Sequence, residues 1–293
     1  MSLPRASIRF TTASDGVRLA YAISGNGPPL FRVPTWFSHL EHDWQSPLLR
    51  HWLVELGRRH TLVRSDDRGC GLSDWNAEDL SFETRVRDLE TIVDAARLDR
   101  FVMTGNSQAA SLAIAYAVRN PERVSRLVLC GGFCRGRTKR AMHDPERTRL
   151  MLRLIELGWG TDNAEFRQVF AAMFAPDGSA EQWRWFTEKM RLGTSPRNAA
   201  RLFIETGNVD VRELVREVRC PTLVLHARGD AVVPYAEGQL MAALIPNAEF
   251  VTLDSVNHVI LEHEPAWQHL VVELRRFLQQ PGAAEAADET VSF

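Results

Sequence analysis

Residues 100–120, RFVMTGNSQAASLAIAYAVRN, limit what this chain can fold into more than any other stretch. Phe101, Val102 and Met103 make an apolar run that reads as a buried strand. From Ala109 to Val118 the residues are small or apolar on every face, without charge or proline, which predicts a buried helix. Gly105-Asn106-Ser107-Gln108-Ala109 joins the two. A serine on a strand-to-helix turn, with small residues two before and two after, is the arrangement of a nucleophile elbow. The sharp turn strains the serine backbone, so its neighbours must be small. It also aims the hydroxyl at the positive end of the following helix. The plainer role for such a serine is to cap the helix.

The rest of the chain decides between these. At 293 residues it holds one large domain or two small ones. A net charge of −2 offers no basic field for nucleic acid and no reason to expect a membrane surface. No apolar run approaches the length of a membrane span. The N-terminal MSLPR has no apolar signal core. Cys70, Cys130, Cys134 and Cys220 lack the spacing of a disulfide or zinc framework, so reduced thiols in a cytoplasmic protein are expected.

Along the chain, alternating residues around Asp15-Gly16 predict a hairpin, and residues 30–33 a short strand ended by Pro34. Ser46-Pro47 is a cap and first-turn pair for a helix burying Leu49, Trp52, Leu53 and Leu56. A strand at 60–64 leads into the loop Asp67-Arg68-Gly69-Cys70-Gly71-Leu72-Ser73, expected to brace the core. A helix follows from about Ser81. Beyond the elbow come a strand at 124–129 and Gly131-Gly132. Strands alternating with helices at this interval predict a parallel sheet covered on both faces. From about Cys134 to Val218 only helical patterns occur, which predicts an inserted cap. Alternation resumes with a strand at 222–225, a helix at 236–244, a strand at 250–253 and a last helix burying Trp267, Leu270, Val271, Leu274 and Phe277. The expected organisation is a core at 1–133 and 219–279, a helical cap at 134–218 and a mobile tail at 280–293.

The elbow, the Asp67–Ser73 loop, Asp230 and His258 together resemble the α/β-hydrolase fold, from about Phe10 to Leu278. That fold is a mostly parallel, doubly wound α/β sheet, here with the helical cap inserted. The family's elbow reads G-x-S-x-G, and this chain has Ala109 in the last place. The stretch Pro34-Thr35-Trp36 to Trp44 is similar to a bacterial subgroup whose members also occur joined to cyclase or transcription-regulator domains. The sequence ends soon after the last core helix, so no such partner domain is expected on it.

The resemblance implies a Ser-His-Asp triad in the chain order serine, acid, histidine. Asp230 follows the strand at 222–225 and His258 the strand at 250–253, both at carboxyl ends, where open α/β sheets bind ligands. His226 and Asp254 are the nearest rivals and are worse placed along the chain. The implied oxyanion hole uses the backbone N–H of Gln108 and, from the loop after the third strand, that of Trp36. Many relatives begin that loop with His-Gly; here it reads Pro34-Thr35-Trp36. Ser38 to Asp43 invites a metal reading, but its spacing is not that of H-E-x-x-H, so an active-site rim or solvated loop is expected and no metal.

These residues predict a serine hydrolase that cleaves a carboxylic ester or lactone and needs no cofactor. Two alternatives stand beside it. Gly105-Asn106-Ser107 is similar to the elbow of carbon–carbon bond hydrolases of ring-fission products, and Ala109 with the absent His-Gly would suit a non-catalytic sensor of small molecules. The expected partner is a small molecule. Trp36, Trp183 and Trp185 are the expected pocket walls, suited to a neutral or aromatic acyl group rather than a highly charged one.

Overall fold

The structure, a computed structural model, describes residues 6–161 and 164–280. The tail expected at the C-terminus lies, from residue 281, outside the described residues. Strands β1 (Ser7–Thr12) and β2 (Arg18–Ser24) form the hairpin around Asp15-Gly16, where Gly16 adopts a φ of 86°. Then come β3 (Pro29–Arg32), β4 (Thr61–Ser65), β5 (Phe101–Asn106), β6 (Val124–Cys130), β7 (Thr222–Ala227) and β8 (Ala248–Leu253). Among the described residues they build one eight-stranded sheet in the order β1-β2-β4-β3-β5-β6-β7-β8. β2 runs antiparallel to both neighbours, and all other pairs are parallel. After β3 the chain moves one way to β4 and then back across it to β5. The carboxyl ends of β3 and β5 therefore flank a topological switch point, where such sheets open a crevice.

Helices α1 (Leu40–Gln45) and α2 (Arg50–Gly57) lie between β3 and β4, α3 (Phe82–Ala95) after β4, and α4 (Ala109–Arg119) after β5. Four helices fill the interval after β6: α5 (Pro145–Gly158), α6 (Ala164–Phe174), α7 (Ala180–Gly193) and α8 (Pro196–Asn208). The short α9 (Arg212–Val215), then α10 (Tyr235–Leu244) and α11 (Pro265–Gln279), complete the order. α3, α4, α9 and α10 contribute Val86, Leu112, Val215 and Met241 to the core on one face of the sheet. α2 and α11 cover the other face with Trp52, Leu53, Leu270 and Phe277. α4 is buried on all sides, as its run of alanines and aliphatics requires. α5 to α8 hold a separate cluster, with Trp159, Phe170, Phe186 and Phe203, that also packs against Phe37 and Leu261 of the sheet's loops.

Two local expectations change. Residues 38–43 are not a solvated loop. They lead into α1, capped by the His39 ring, and Asp43 is buried 2.7 Å from Lys189 Nζ of α7. The partner lies far along the chain, so nothing near Asp43 in sequence announces its burial. Ser46-Pro47 does not start α2 either. Ser46 Oγ accepts from Leu48 N–H at 3.2 Å within a turn, and the helix begins at Arg50.

The loop after β4 braces the core as expected. Arg68 is buried and forks onto Asp88, with Nε 2.5 Å and Nη2 2.7 Å from its oxygens, and also reaches Asp15. Asp66 accepts from the N–H groups of Leu40 and Leu72, and a side chain at Gly71 would collide with it. Burial first, then the nearby Asp43, push the Asp66 carboxyl up to about 7 from an ordinary 3.8. Folding therefore takes up a proton here between those values, and stability falls as pH rises from about 3.8 to about 7. Asparagine keeps the acceptor and cannot ionise. Asp66→Asn should melt higher than the parent at pH 8, with the gap closing as the pH is lowered. A gap independent of pH in thermal melts would refute this assignment.

Candidate active site

Ser107 follows β5 directly and has a φ of 56°, in the left-handed region that a non-glycine residue occupies only under constraint. Its N–H donates to Cys130 O of β6 at 2.9 Å, which pins the turn to the neighbouring strand. The turn is tight for a measurable reason: a Cβ on Gly105 would lie 2.7 Å from Ala109 O and 2.8 Å from Ala110 Cα. Gly105→Ala should therefore cost about 1–3 kcal/mol by overpacking. Urea unfolding checks this, and an unchanged midpoint would mean that the turn is loose. Ala109 is fully buried, and its methyl is accommodated in the packed interior.

Asp230 leaves the carboxyl end of β7, and His258 sits on the loop after β8. The structure brings them together: His258 Nδ1 is 2.6 Å from Asp230 Oδ2. The other oxygen of Asp230 accepts from the N–H groups of Val232 and Val233 at 2.8 and 2.9 Å. Burial opposes ionisation of Asp230, but His258, the Val233 amide and nearby His226 outweigh it and hold the carboxyl below its ordinary value. Ser107 and His258 line the same cavity. Neither rival is placed there. His226 is fully buried with Nε2 3.0 Å from Val233 O, and Asp254 is exposed.

The histidine loop is held from both sides. Glu264 accepts from Ser255 Oγ at 2.6 Å and from Asn257 Nδ2 at 3.3 Å. From α6, Phe174 O accepts from Val259 N–H at 2.9 Å, and the Phe174 ring meets the His258 ring edge-on at 5.3 Å. Opposite, Gly131 has a φ of 58°, and a Cβ there would press to 3.3 Å from His258 Cε1. Sequence reasoning did not assign Phe174, Asn257, Glu264 or Gly131 to the site. Only the Gly131-Gly132 pair straight after a strand carried a signal.

The amide of Gln108 belongs to the N-terminus of α4, where backbone N–H groups have no intrahelical acceptor. The Gln108 side chain is anchored by Arg85 Nη2 at 2.8 Å, and Arg85 in turn forks onto Asp67. The bracing loop thus reaches the residue beside Ser107. Trp36 lies in the loop after β3, and its ring packs against Trp159 and Phe203 at centroid distances of 5.1 and 6.0 Å.

The cavity at the carboxyl edge of the sheet measures about 760 Å³. Trp36 lines it; Trp183 and Trp185 do not. Trp183 turns onto the segment after α6, its Nε1 donating to Ala175 O at 2.8 Å. Trp185, about 200° further round the helix, meets the His42 ring at 4.8 Å. The α7 residues that reach the cavity are Phe186 and Lys189, alongside Phe170, Phe174 and Phe203. The expectation of a pocket without strong charge also needs correcting, because Arg135, Arg137 and Arg140 line the same space.

A mostly parallel sheet with a strained serine after its central strand, facing the loops after β7 and β8, is the architecture of the α/β hydrolases. The family model for the alpha/beta hydrolase fold matches residues 29–265, and the chain belongs to that family. It is 25% identical over 279 residues to a pyrrolizixenacetamide deacetylase of Xenorhabdus hominickii, covering 89% of this chain and 94% of the relative. It is 29% identical to a 2-hydroxy-6-oxononadienedioate/2-hydroxy-6-oxononatrienedioate hydrolase of Cupriavidus pinatubonensis, over 75% of this chain and 77% of that protein. Among solved structures, an esterase from Rhodococcus sp. ECU1013 superposes with a TM-score of 0.77 at 23% identity, over 94% of this chain and 100% of the esterase. No helix among the described residues is long and apolar enough to cross a membrane.

Proposed function

We propose that the protein is a serine hydrolase that cleaves a carboxylic ester or lactone through an acyl-enzyme. The observation that carries this is the 2.6 Å contact between His258 and Asp230 on the cavity that the strained Ser107 also lines. Ser107 Oγ attacks the carbonyl carbon as His258 Nε2 takes its proton. Asp230 holds the imidazole with its proton on Nδ1, which leaves Nε2 free to act as base. The backbone N–H groups of Gln108 and Trp36 donate to the developing oxyanion. His258 then protonates the leaving alcohol and activates the water that releases the acid. This scheme calls for no cofactor. In this reading α5 to α8 form the cap, and Trp36 with the cap phenylalanines shapes the acyl pocket.

Cleavage of a carbon–carbon bond in a ring-fission product is the second reading. The relative named for a 2-hydroxy-6-oxononadienedioate and the Gly105-Asn106-Ser107 elbow favour it. A sensor that binds without turnover is the third, in keeping with the resemblance to hydrolase domains joined to regulators. A fluorophosphonate probe, with mass spectrometry of the labelled peptide, separates them from the first step onward. Stoichiometric labelling of Ser107 with turnover of esters or lactones supports the proposal. Labelling with turnover confined to ring-fission products supports carbon–carbon cleavage. An intact protein that resists labelling and turns over none of these would be a sensor.

A further inference from the structure

The cavity beside Ser107 carries more positive charge than its own carboxylates neutralise. Arg135, Arg137 and Arg140 follow β6 and contribute to its wall. Glu237 of α10, buried in the same wall, is taken by Arg135, whose Nε and Nη2 each lie 3.1 Å from one of its oxygens. Arg140 Nε is left 3.9 Å from Glu237, buried and without a hydrogen-bond partner among the described residues. Arg137 has no carboxylate partner at all among the described residues. Its Nη1 donates to Phe203 O at 2.6 Å, and its guanidinium carbon lies 3.6 Å from the centre of the Phe203 ring. Burial, then the like charge of Arg140, push the Arg137 pKa down to about 10.

The cations on the other side of the cavity differ. Lys189 is paired with Asp43 at 2.7 Å, and the same carboxylate faces Arg32. Asp144, exposed on the same lining, caps α5 through one oxygen that accepts from the N–H groups of Glu146 and Arg147, and among the described residues it pairs with neither Arg137 nor Arg140. Burying an arginine without a partner costs free energy. A planar guanidinium opening into a cavity regains that cost when an oxyanion completes its hydrogen bonds.

We propose that Arg137 and Arg140 bind a carboxylate of the substrate, which makes the natural substrate an amphipathic acid. Its cleavable carbonyl lies at Ser107, its apolar or aromatic body runs along Phe170, Phe174 and Phe203, and its carboxylate meets the two arginines. The inference rests on the ester or lactone reading for the bond that is cut, but not for the binding of the anion.

The test separates the two. Calorimetry on the Ser107→Ala protein compares monoethyl adipate, which carries a free carboxylate, with neutral diethyl adipate. The monoester should bind at least about tenfold more tightly, a difference of about 1.4 kcal/mol. Arg140→Met should reduce that ratio, and Arg137→Gln with Arg140→Met should bring it close to one. Glutamine at 137 retains a donor for Phe203 O, and thermal melts confirm that each variant folds. Equal affinity for the two probes in the Ser107→Ala protein overturns the proposal. So does a preference that survives both arginine substitutions. In the enzyme with Ser107, kcat/KM for p-nitrophenyl esters ending in carboxylate should exceed that for methyl-ended esters. Binding preference without any ester turnover sinks the cleavage reading and keeps the anion site; turnover of both esters without preference does the reverse.

Discussion

Ser107→Ala is expected to lower kcat by roughly five to six orders of magnitude, the scale seen when a triad serine is removed. The loss should fall on kcat, because the walls that bind the substrate are untouched. Folding should change little. Alanine must adopt the same φ of 56° as the serine it replaces, so the strain of the turn is retained. The N–H of residue 107 keeps its bond to Cys130 O. Initial-rate kinetics on a preferred ester and labelling by a fluorophosphonate measure the two consequences. A variant that keeps a tenth of the parental rate would mean that another group performs the attack.

Asp230→Asn should lower kcat by about four orders of magnitude through the histidine tautomer rather than through geometry. Asparagine Oδ1 can still accept from Val232 and Val233, so the loop after β7 should keep its shape. Its Nδ2 would donate to His258 Nδ1 where the carboxylate oxygen now accepts at 2.6 Å. The imidazole proton would then sit on Nε2, and that nitrogen could no longer take the Ser107 proton. Asp254→Asn is the control. Asp254 is exposed and should be neutral within about half a kcal/mol in stability, with kcat close to the parent. Greater damage from Asp254→Asn than from Asp230→Asn would place the acid elsewhere.

Residues with a local signature were the ones legible in the chain. The elbow needs small neighbours, and Gly105 meets Ala109 O and Ala110 Cα too closely to carry a side chain. α4 is apolar all round because it is covered on all sides. The strands preceding Asp230 and His258 announce themselves by short apolar runs, and their loops follow directly. Local rules misled at Ser46-Pro47, where the cap pair closes a turn before the helix. They misled again at Trp183 and Trp185: the helical period separates the two rings but does not say which face meets the cavity. That face belongs to Phe186 and Lys189.

By itself the sequence determined the alternation of strands and helices, the strained serine between β5 and α4, and the chain positions of Asp230 and His258. These depend on hydrophobic period, turn sterics and residue order, all of which act over a few neighbouring residues. Only the tertiary structure decided that Lys189 of α7 neutralises buried Asp43, that Glu264 and Phe174 hold the His258 loop, and that Arg137 and Arg140 face the cavity short of carboxylates. Charge balance and ring contact are sums over residues brought together from distant parts of the chain. The pairing that leaves one arginine satisfied and another short of a carboxylate exists only once the segment after β6 meets Glu237 of α10.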